Sequence, residues 1–157
     1  MVSYEYIAGF FDGEGYIQLG IRSPGGHSRS PYYLTISMAN THRGVLDEIQ
    51  KMTGGVVRFY PSKRLNVKSH YRLALYTRQA LNFIKAVQPY LIVKKEEADL
   101  AIAFYEHIES TSYYFNHGCK KMTEKELKIR HEFWTKMRVL NGNQGKFHLH
   151  NLSLKSV

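Results

Sequence analysis

Two acidic residues near the start of the sequence have the surroundings of a cation site. Residues 4–12 predict a short helix that the glycines at 13 and 15 end, so Asp12 and Glu14 stand at its carboxyl end. Carboxylates there are unfavourable by up to about 1 kcal/mol each, because that end carries partial negative charge and unpaired carbonyls. A cation removes the conflict, since carboxylate and carbonyl oxygens suit Mg²⁺. A lone Asp-Gly-Glu-Gly would instead indicate a solvated turn.

The same predicted helix contains small residues among large apolar ones. Glycine inside a helix costs roughly 0.8–1 kcal/mol relative to alanine. Gly9 and Gly13 lie four residues apart on one face, and Ala8 adjoins them. Small residues on one face allow a second helix to approach closely. Two such helices, packed side by side, would bring two copies of Glu14 together.

Alternating apolar and polar residues predict the strands that must hold this helix end in place. One hairpin has strands at about 16–22 and 33–38 around a loop rich in Ser, Pro and Gly, and a second has strands at about 56–60 and 70–75 around a polar tip. Each hairpin has one apolar face. Adjacent pairing therefore predicts a four-stranded antiparallel sheet with helices on one side.

Helical patterns occupy most of the remaining sequence. After the first helix they run from about 41 to a stop at Gly54 and Gly55, then over 79–87, 94–109 and 123–140, with a polar loop at 110–121. The order predicts an α+β fold, an α-β-β-α-β-β-α core plus C-terminal helices. We expect a single domain over 1–157, with its core at about 4–108, a helical extension at about 109–140 and a tail at 141–157.

The uncovered face of the predicted sheet is polar, aromatic and cationic, with almost no carboxylate. Its strand positions are Tyr16, Gln18, Arg22, Tyr33, Thr35, Ser37, Arg58, Tyr60, His70 and Arg72, and the hairpin tips add His27, Arg29, Lys63, Arg64 and Lys68. Any solvated sheet face is polar, but the sign of the charge favours a saddle that lies in a DNA groove. The strand residues would read bases and the tips would contact phosphates.

The overall charge points in the same direction. The net charge is +9, from 22 Lys and Arg against 13 Asp and Glu, which favours a polyanionic partner, either nucleic acid or an anionic membrane face. The longest apolar stretches, such as residues 7–11, are far shorter than the roughly 20 residues of a spanning helix, and no secretory signal is recognisable. Cys119 is the only cysteine, which fits a reducing compartment. We expect an intracellular protein without a membrane partner, in an organelle or a prokaryotic cytoplasm.

Residues 7–15, Ile-Ala-Gly-Phe-Phe-Asp-Gly-Glu-Gly, resemble the Leu-Ala-Gly-Leu-Ile-Asp-Ala-Asp-Gly signature of the LAGLIDADG homing endonucleases. The resemblance covers about residues 4–108, since the motif precedes an α-β-β-α-β-β-α order in a basic chain of this length. The sequence contains one motif, and single-motif members of the family form homodimers through it. The resemblance therefore implies a homodimer on a long, near-palindromic double-stranded DNA site, with an interface made by Ile7, Ala8, Gly9, Phe10, Asp12 and Gly13.

The resemblance also implies how each strand of DNA is cut. Glu14, where the signature has Asp, would bind the divalent metal together with the carbonyl of Gly13, whereas Asp12 would be structural. Asn40 would organise water. Arg43 and Lys94, the latter after Gln-Pro-Tyr-Leu, would border the phosphates. The implied cofactor is Mg²⁺, with Mn²⁺ as a substitute and Ca²⁺ as an ion that binds without supporting cleavage.

Three other functions are compatible with parts of the pattern. An RNA maturase, which assists intron splicing on the same fold, shares the basic face. A DNA-binding protein that does not cleave is disfavoured by the joint presence of Glu14, Asn40 and Lys94. A zinc module of His107, His117 and Cys119 lacks a regular ligand spacing.

Overall fold

The computed structural model describes residues 2–21, 32–116 and 122–142. Its elements are α1 (Tyr4–Glu14), β1 (Gly15–Ile21), β2 (Tyr32–Asn40), α2 (Arg43–Thr53), β3 (Val56–Tyr60), β4 (His70–Tyr76), α3 (Thr77–Val87), a 3₁₀ turn (Gln88–Tyr90), α4 (Lys95–Asn116) and α5 (Glu124–Leu140). This order confirms the α+β fold and the α-β-β-α-β-β-α core with C-terminal helices.

Helix α1 begins and ends with local signals that the sequence contains. The Ser3 hydroxyl accepts a hydrogen bond from the Tyr6 N–H at 3.3 Å, as an N-cap residue does. The helix continues through Gly13 to Glu14, and the N–H of Gly15 then donates to the Phe11 carbonyl. A Cβ atom at Gly15 would lie 2.2 Å from the Phe11 ring. Only glycine therefore allows β1 to leave the helix over that ring.

The four strands form one antiparallel sheet in the order β1-β2-β4-β3. Both predicted hairpins are present, and pairing between β2 and β4 joins them, with Asn40 opposite Tyr71. The inward residues of these central strands, including Ile36, Met38 and Leu73, are fully buried under the helices. Gly54 and Gly55 end α2 with φ of 72° and 92°, in the left-handed region that favours glycine.

The C-terminal helices differ from the prediction in one segment. The polar loop expected at 110–121 is wrong for its first part, because α4 continues to Asn116. One bond within α4 and one to α5 explain the extension: the Thr111 hydroxyl donates to the His107 carbonyl at 2.9 Å and accepts from Arg130 of α5 at 3.1 Å. Buried Arg130 is also paired with buried Glu126. No helix in the described part of the chain is long and apolar enough to span a membrane.

Candidate functional site

Glu14 and Asn40, which are 26 positions apart in the sequence, line one surface pocket. Glu14 is the last residue of α1 and Asn40 is the last residue of β2. The pocket has a volume of about 320 Å³, and its other lining residues are Ala39, Thr41 and His70. The ends of a helix and two central strands therefore meet at this place.

The Asn40 side chain is held by the chain that follows it. Its Oδ1 accepts a hydrogen bond of 2.8 Å from the His42 N–H, the kind of local bond that Asn often makes at the end of an element. The amide nitrogen carries two further donors. Asn40 is thus an oriented polar residue in the lining of the pocket that Glu14 also lines.

Asp12 has a different role from Glu14, although both are acids at one helix end. Its carboxylate accepts hydrogen bonds from the N–H groups of Ile92 at 2.8 Å, Val93 at 3.2 Å and Lys94 at 3.0 Å. These groups precede α4, whose amino end carries partial positive charge. Burial raises the pKa of Asp12, but the three backbone hydrogen bonds outweigh it and the pKa is lowered overall. Asp12 therefore joins α1 to α4 through main-chain contacts.

Replacing Asp12 by Ala is expected to reduce the free energy of unfolding by about 2 kcal/mol near neutral pH, because charge-assisted hydrogen bonds are lost. The folded state lowers the pKa of Asp12, so its stabilisation is present above the unfolded value of about 3.9 and is lost as the pH falls below it. Urea denaturation of both proteins over this pH range measures the difference. A difference that stays constant down to about pH 2 would contradict this role.

Lys94 and Arg43, the two predicted phosphate neighbours, occupy different places. The Lys94 ammonium donates to the Asp12 carbonyl and therefore lies at the carboxyl end of α1, near the Glu14 pocket but not in its lining. Arg43 begins α2 and is paired with Asp47 at 3.2 Å, with its side chain 62% exposed. The structure does not bring Arg43 into the pocket.

Glu14 and Gly13 can supply oxygen ligands to a metal. Both residues are exposed, and no ion pair of the described chain involves Glu14. The last carbonyls of a helix lack helical partners. The Phe11 carbonyl accepts a hydrogen bond from the Gly15 N–H, and the Asp12 carbonyl accepts one from the Lys94 ammonium. None of the described hydrogen bonds involves the Gly13 carbonyl, which is therefore available to a metal. Within the described residues no group of three His, Cys, Asp or Glu side chains forms a metal site. One chain thus offers part of a hard-oxygen site, and the donors fit a divalent cation.

The acidic residues are confined to the helices, whereas basic residues occur on both the helices and the sheet. All 13 acidic residues lie on helices, and none lies on a strand or in the loop of either hairpin. Arg58 and Arg72 are direct cross-strand partners, an arrangement that is unfavourable without an anion. The described ion pairs include neither residue. The side of the sheet that carries Arg58 and Arg72 is therefore a cationic face.

The hydrogen-bonded register places the other predicted contact residues on the same face. Tyr16 is paired with Ser37, Gln18 with Thr35, and Tyr60 with His70; Tyr33 occupies the corresponding row of β2. At the tip of the second hairpin, exposed Lys63, Arg64 and Lys68 stand on a turn closed by a 3.2 Å hydrogen bond from the Val67 N–H to the Arg64 carbonyl. Arg22, His27 and Arg29 lie outside the described residues, as do His117 and Cys119.

The predicted interface helix needs one correction. Ile7 and Ala8 are 0% exposed because they pack into the core of their own chain, so their inclusion in the interface is wrong. Gly9 and Gly13 are exposed, and a Cβ atom at either would meet nothing within 4 Å. Phe10 is half-buried, and the Asp12 carboxylate is engaged by residues 92–94. Gly9 and Gly13 therefore form a small-residue patch on the exposed side of α1, next to the exposed Tyr6.

His70 is the pocket residue whose place the sequence did not reveal. Its alternation within β4 identified it only as an outward strand position. The β2–β4 register sets Tyr71 opposite Asn40 and so brings His70 to the pocket. No local pattern specifies this pairing, because the two strands are separated by a helix and another strand.

Comparison with known proteins identifies the fold. No family model and no curated protein matches the sequence. Among solved structures, the homing endonuclease I-CvuI in complex with its target in the presence of Ca has a TM-score of 0.68 at 20% identity, covering 92% of this chain and 83% of that one. The homing endonuclease I-TnaI has a TM-score of 0.63 at 18% identity, with coverage of 90% and 97%. The LAGLIDADG meganuclease I-AabMI, bound to uncleaved DNA, has 0.63 at 15% identity, with coverage of 88% and 45%. The chain therefore has the fold of the LAGLIDADG homing endonucleases.

Proposed function

We propose that the chain is a site-specific, metal-dependent DNA endonuclease that acts as a homodimer. The observation that carries this proposal is the meeting of Glu14 and Asn40 at the carboxyl end of α1, beside a cationic face without carboxylates. I-CvuI and I-AabMI, which share the fold, have structures with uncleaved DNA. The wider match to such proteins supports DNA as the polyanion that the cationic face binds.

The residues in and near the pocket would have separate roles in phosphodiester hydrolysis. Glu14 and the Gly13 carbonyl would hold a divalent ion, Mg²⁺ in our proposal, which neutralises phosphate charge and lowers the pKa of bound water. The Asn40 amide donors would orient the attacking water. The water oxygen would form a bond to phosphorus and release one proton to solvent. The bond from phosphorus to the leaving sugar oxygen would break with its electron pair, and that oxygen would take up a proton from solvent. Lys94 would keep positive charge near the developing negative charge, at the helix end that it contacts.

Two copies of the chain complete the enzyme in this proposal. The chain spans 45% of I-AabMI, so two copies correspond to about one such protein. The exposed Gly9 and Gly13 leave room for close approach of a second α1 helix. An isologous pair contains two Glu14 residues, one for each DNA strand, and its two-fold symmetry implies a near-palindromic site.

The direct test uses a duplex of the uninterrupted allele at the site where the coding sequence of the chain is inserted. Purified protein with Mg²⁺ is expected to cut both strands once, at positions related by the two-fold axis of the site. Omission of the metal is expected to stop cleavage and leave binding. Failure to cut this duplex, with tight binding to the flanking intron RNA, would replace the proposal with a maturase.

Arg58 provides a test of the cationic face. Arg58→Ala is expected to weaken DNA binding by about 1–3 kcal/mol, five-fold to more than a hundred-fold, because the side chain faces the groove. Lys85→Ala is the matched control, since Lys85 lies on α3 and is paired with Glu106 at 3.6 Å. Titration of a labelled duplex at about 50 mM and 200 mM salt measures both variants. Equal losses of DNA affinity in the two variants would mean that DNA does not bind preferentially to the sheet face.

A further inference from the structure

We propose that His70 is a further catalytic residue, a hydrogen-bond donor to the phosphate that is cut. The inference rests on the endonuclease function proposed above. His70 is the first residue of β4, and it lines the same pocket as Glu14 and Asn40. Residues with a carboxylate, a primary amide and an imidazole side chain therefore line one pocket.

The orientation of the imidazole is fixed by a cross-strand stack. Tyr60 is the direct partner of His70 on β3, and the two rings are nearly parallel, at 6°, with centroids 5.5 Å apart. The Arg72 guanidinium lies over the Tyr60 ring, 4.6 Å from its centroid. Stacking restrains the plane of the ring, and the ring nitrogens lie at the edge of that plane. Tyr60 is accordingly a positioning residue for His70.

The chemistry of the imidazole suits the transition state. In either neutral tautomer one ring nitrogen donates a hydrogen bond. The described hydrogen bonds do not engage the His70 ring, so this donor is available to a ligand. Negative charge builds up on the non-bridging oxygens during attack on phosphorus, and a donor already in place stabilises it without reorganisation. His70 donates a hydrogen bond only, and no atom is transferred to or from it.

The role of His70 is tested by measuring the rate of cleavage and the DNA affinity of each variant separately. His70→Ala, at saturating enzyme and Mg²⁺, is expected to cut the uninterrupted-allele duplex about 10²-fold more slowly than the wild type, as after loss of one transition-state donor. The dissociation constant, measured without metal, is expected to change less than about three-fold. His70→Gln, whose amide N–H can donate, is expected to recover part of the rate. Tyr60→Phe keeps the stacked ring and the rate, whereas Tyr60→Leu is expected to slow cleavage about ten-fold.

Each of the following results would overturn one part of the proposal for His70. A His70→Ala variant that binds weakly but cuts at the wild-type rate makes His70 a DNA contact only. A His70→Gln variant as slow as His70→Ala shows that no donor is needed at this position. Circular dichroism of each variant checks folding, and His70→Gln carries the test if His70→Ala unfolds. A wild type that binds the duplex and leaves it intact overturns the endonuclease proposal itself, and the role of His70 falls with it.

Discussion

Glu14→Gln is expected to slow DNA cleavage by at least about 10³-fold, close to 4 kcal/mol of transition-state stabilisation. The substitution keeps the size and one oxygen of the side chain but removes the charge that would hold the divalent ion. Glu14 is exposed, and the described ion pairs and hydrogen bonds do not include its side chain, so the fold does not depend on it. Its removal tests the chemistry with little effect on folding.

Single-turnover cleavage and filter binding, performed on the same preparations, measure this effect. DNA affinity in the absence of metal is expected to remain or to improve, because a negative charge next to phosphate is removed. Glu132→Gln is the control, since Glu132 is an exposed acid on α5. Cleavage by Glu14→Gln at the rate of Glu132→Gln would show that the metal site lies elsewhere.

Gly9→Leu is expected to abolish the homodimer while the single chain becomes more stable. A Cβ atom at Gly9 meets nothing within 4 Å in the single chain, and leucine favours a helix over glycine by up to about 1 kcal/mol. In a close pair of α1 helices the same side chain would occupy the space of the partner backbone. Dimerisation is therefore expected to weaken by at least about 100-fold, and double-strand cleavage with it.

Analytical ultracentrifugation of the DNA complex and thermal unfolding of the free protein separate the two effects. The expected result is one chain per duplex, together with a melting temperature that does not fall. Ala103→Leu adds bulk at an exposed position of α4 and serves as the control for surface leucine. Two chains of Gly9→Leu on each duplex would place the interface on another surface.

Periodicity was sufficient to predict the elements of this chain. Alternation from Tyr16 and from Tyr33 gave the first hairpin, and the glycines at 54 and 55 marked the end of α2. These signals are local, because a strand face and a helix stop depend on neighbouring residues. The end of α4 was missed for the opposite reason: Thr111 remains helical through contacts with Arg130 of another helix.

The two acids at the end of α1 also show which features of the site depend on local sequence and which depend on tertiary structure. The sequence placed both Asp12 and Glu14 where carboxylates are unfavourable, and this conflict does not depend on the rest of the fold. Only the tertiary structure decided how the conflict is relieved. The backbone N–H groups of Ile92, Val93 and Lys94 donate hydrogen bonds to the Asp12 carboxylate. Glu14 remains exposed and lines the same pocket as Asn40 and His70.

The sequence by itself determined the helix with its small residues, the two hairpins, and the absence of acidic residues from both hairpins. Tertiary structure alone decided that Ile7 and Ala8 belong to the core and that His70 belongs to the pocket. The physical reason is that side-chain period fixes only the face on which a residue lies. Which residue lies opposite it depends on strand register and helix packing, and these are set by contacts between segments distant in the sequence.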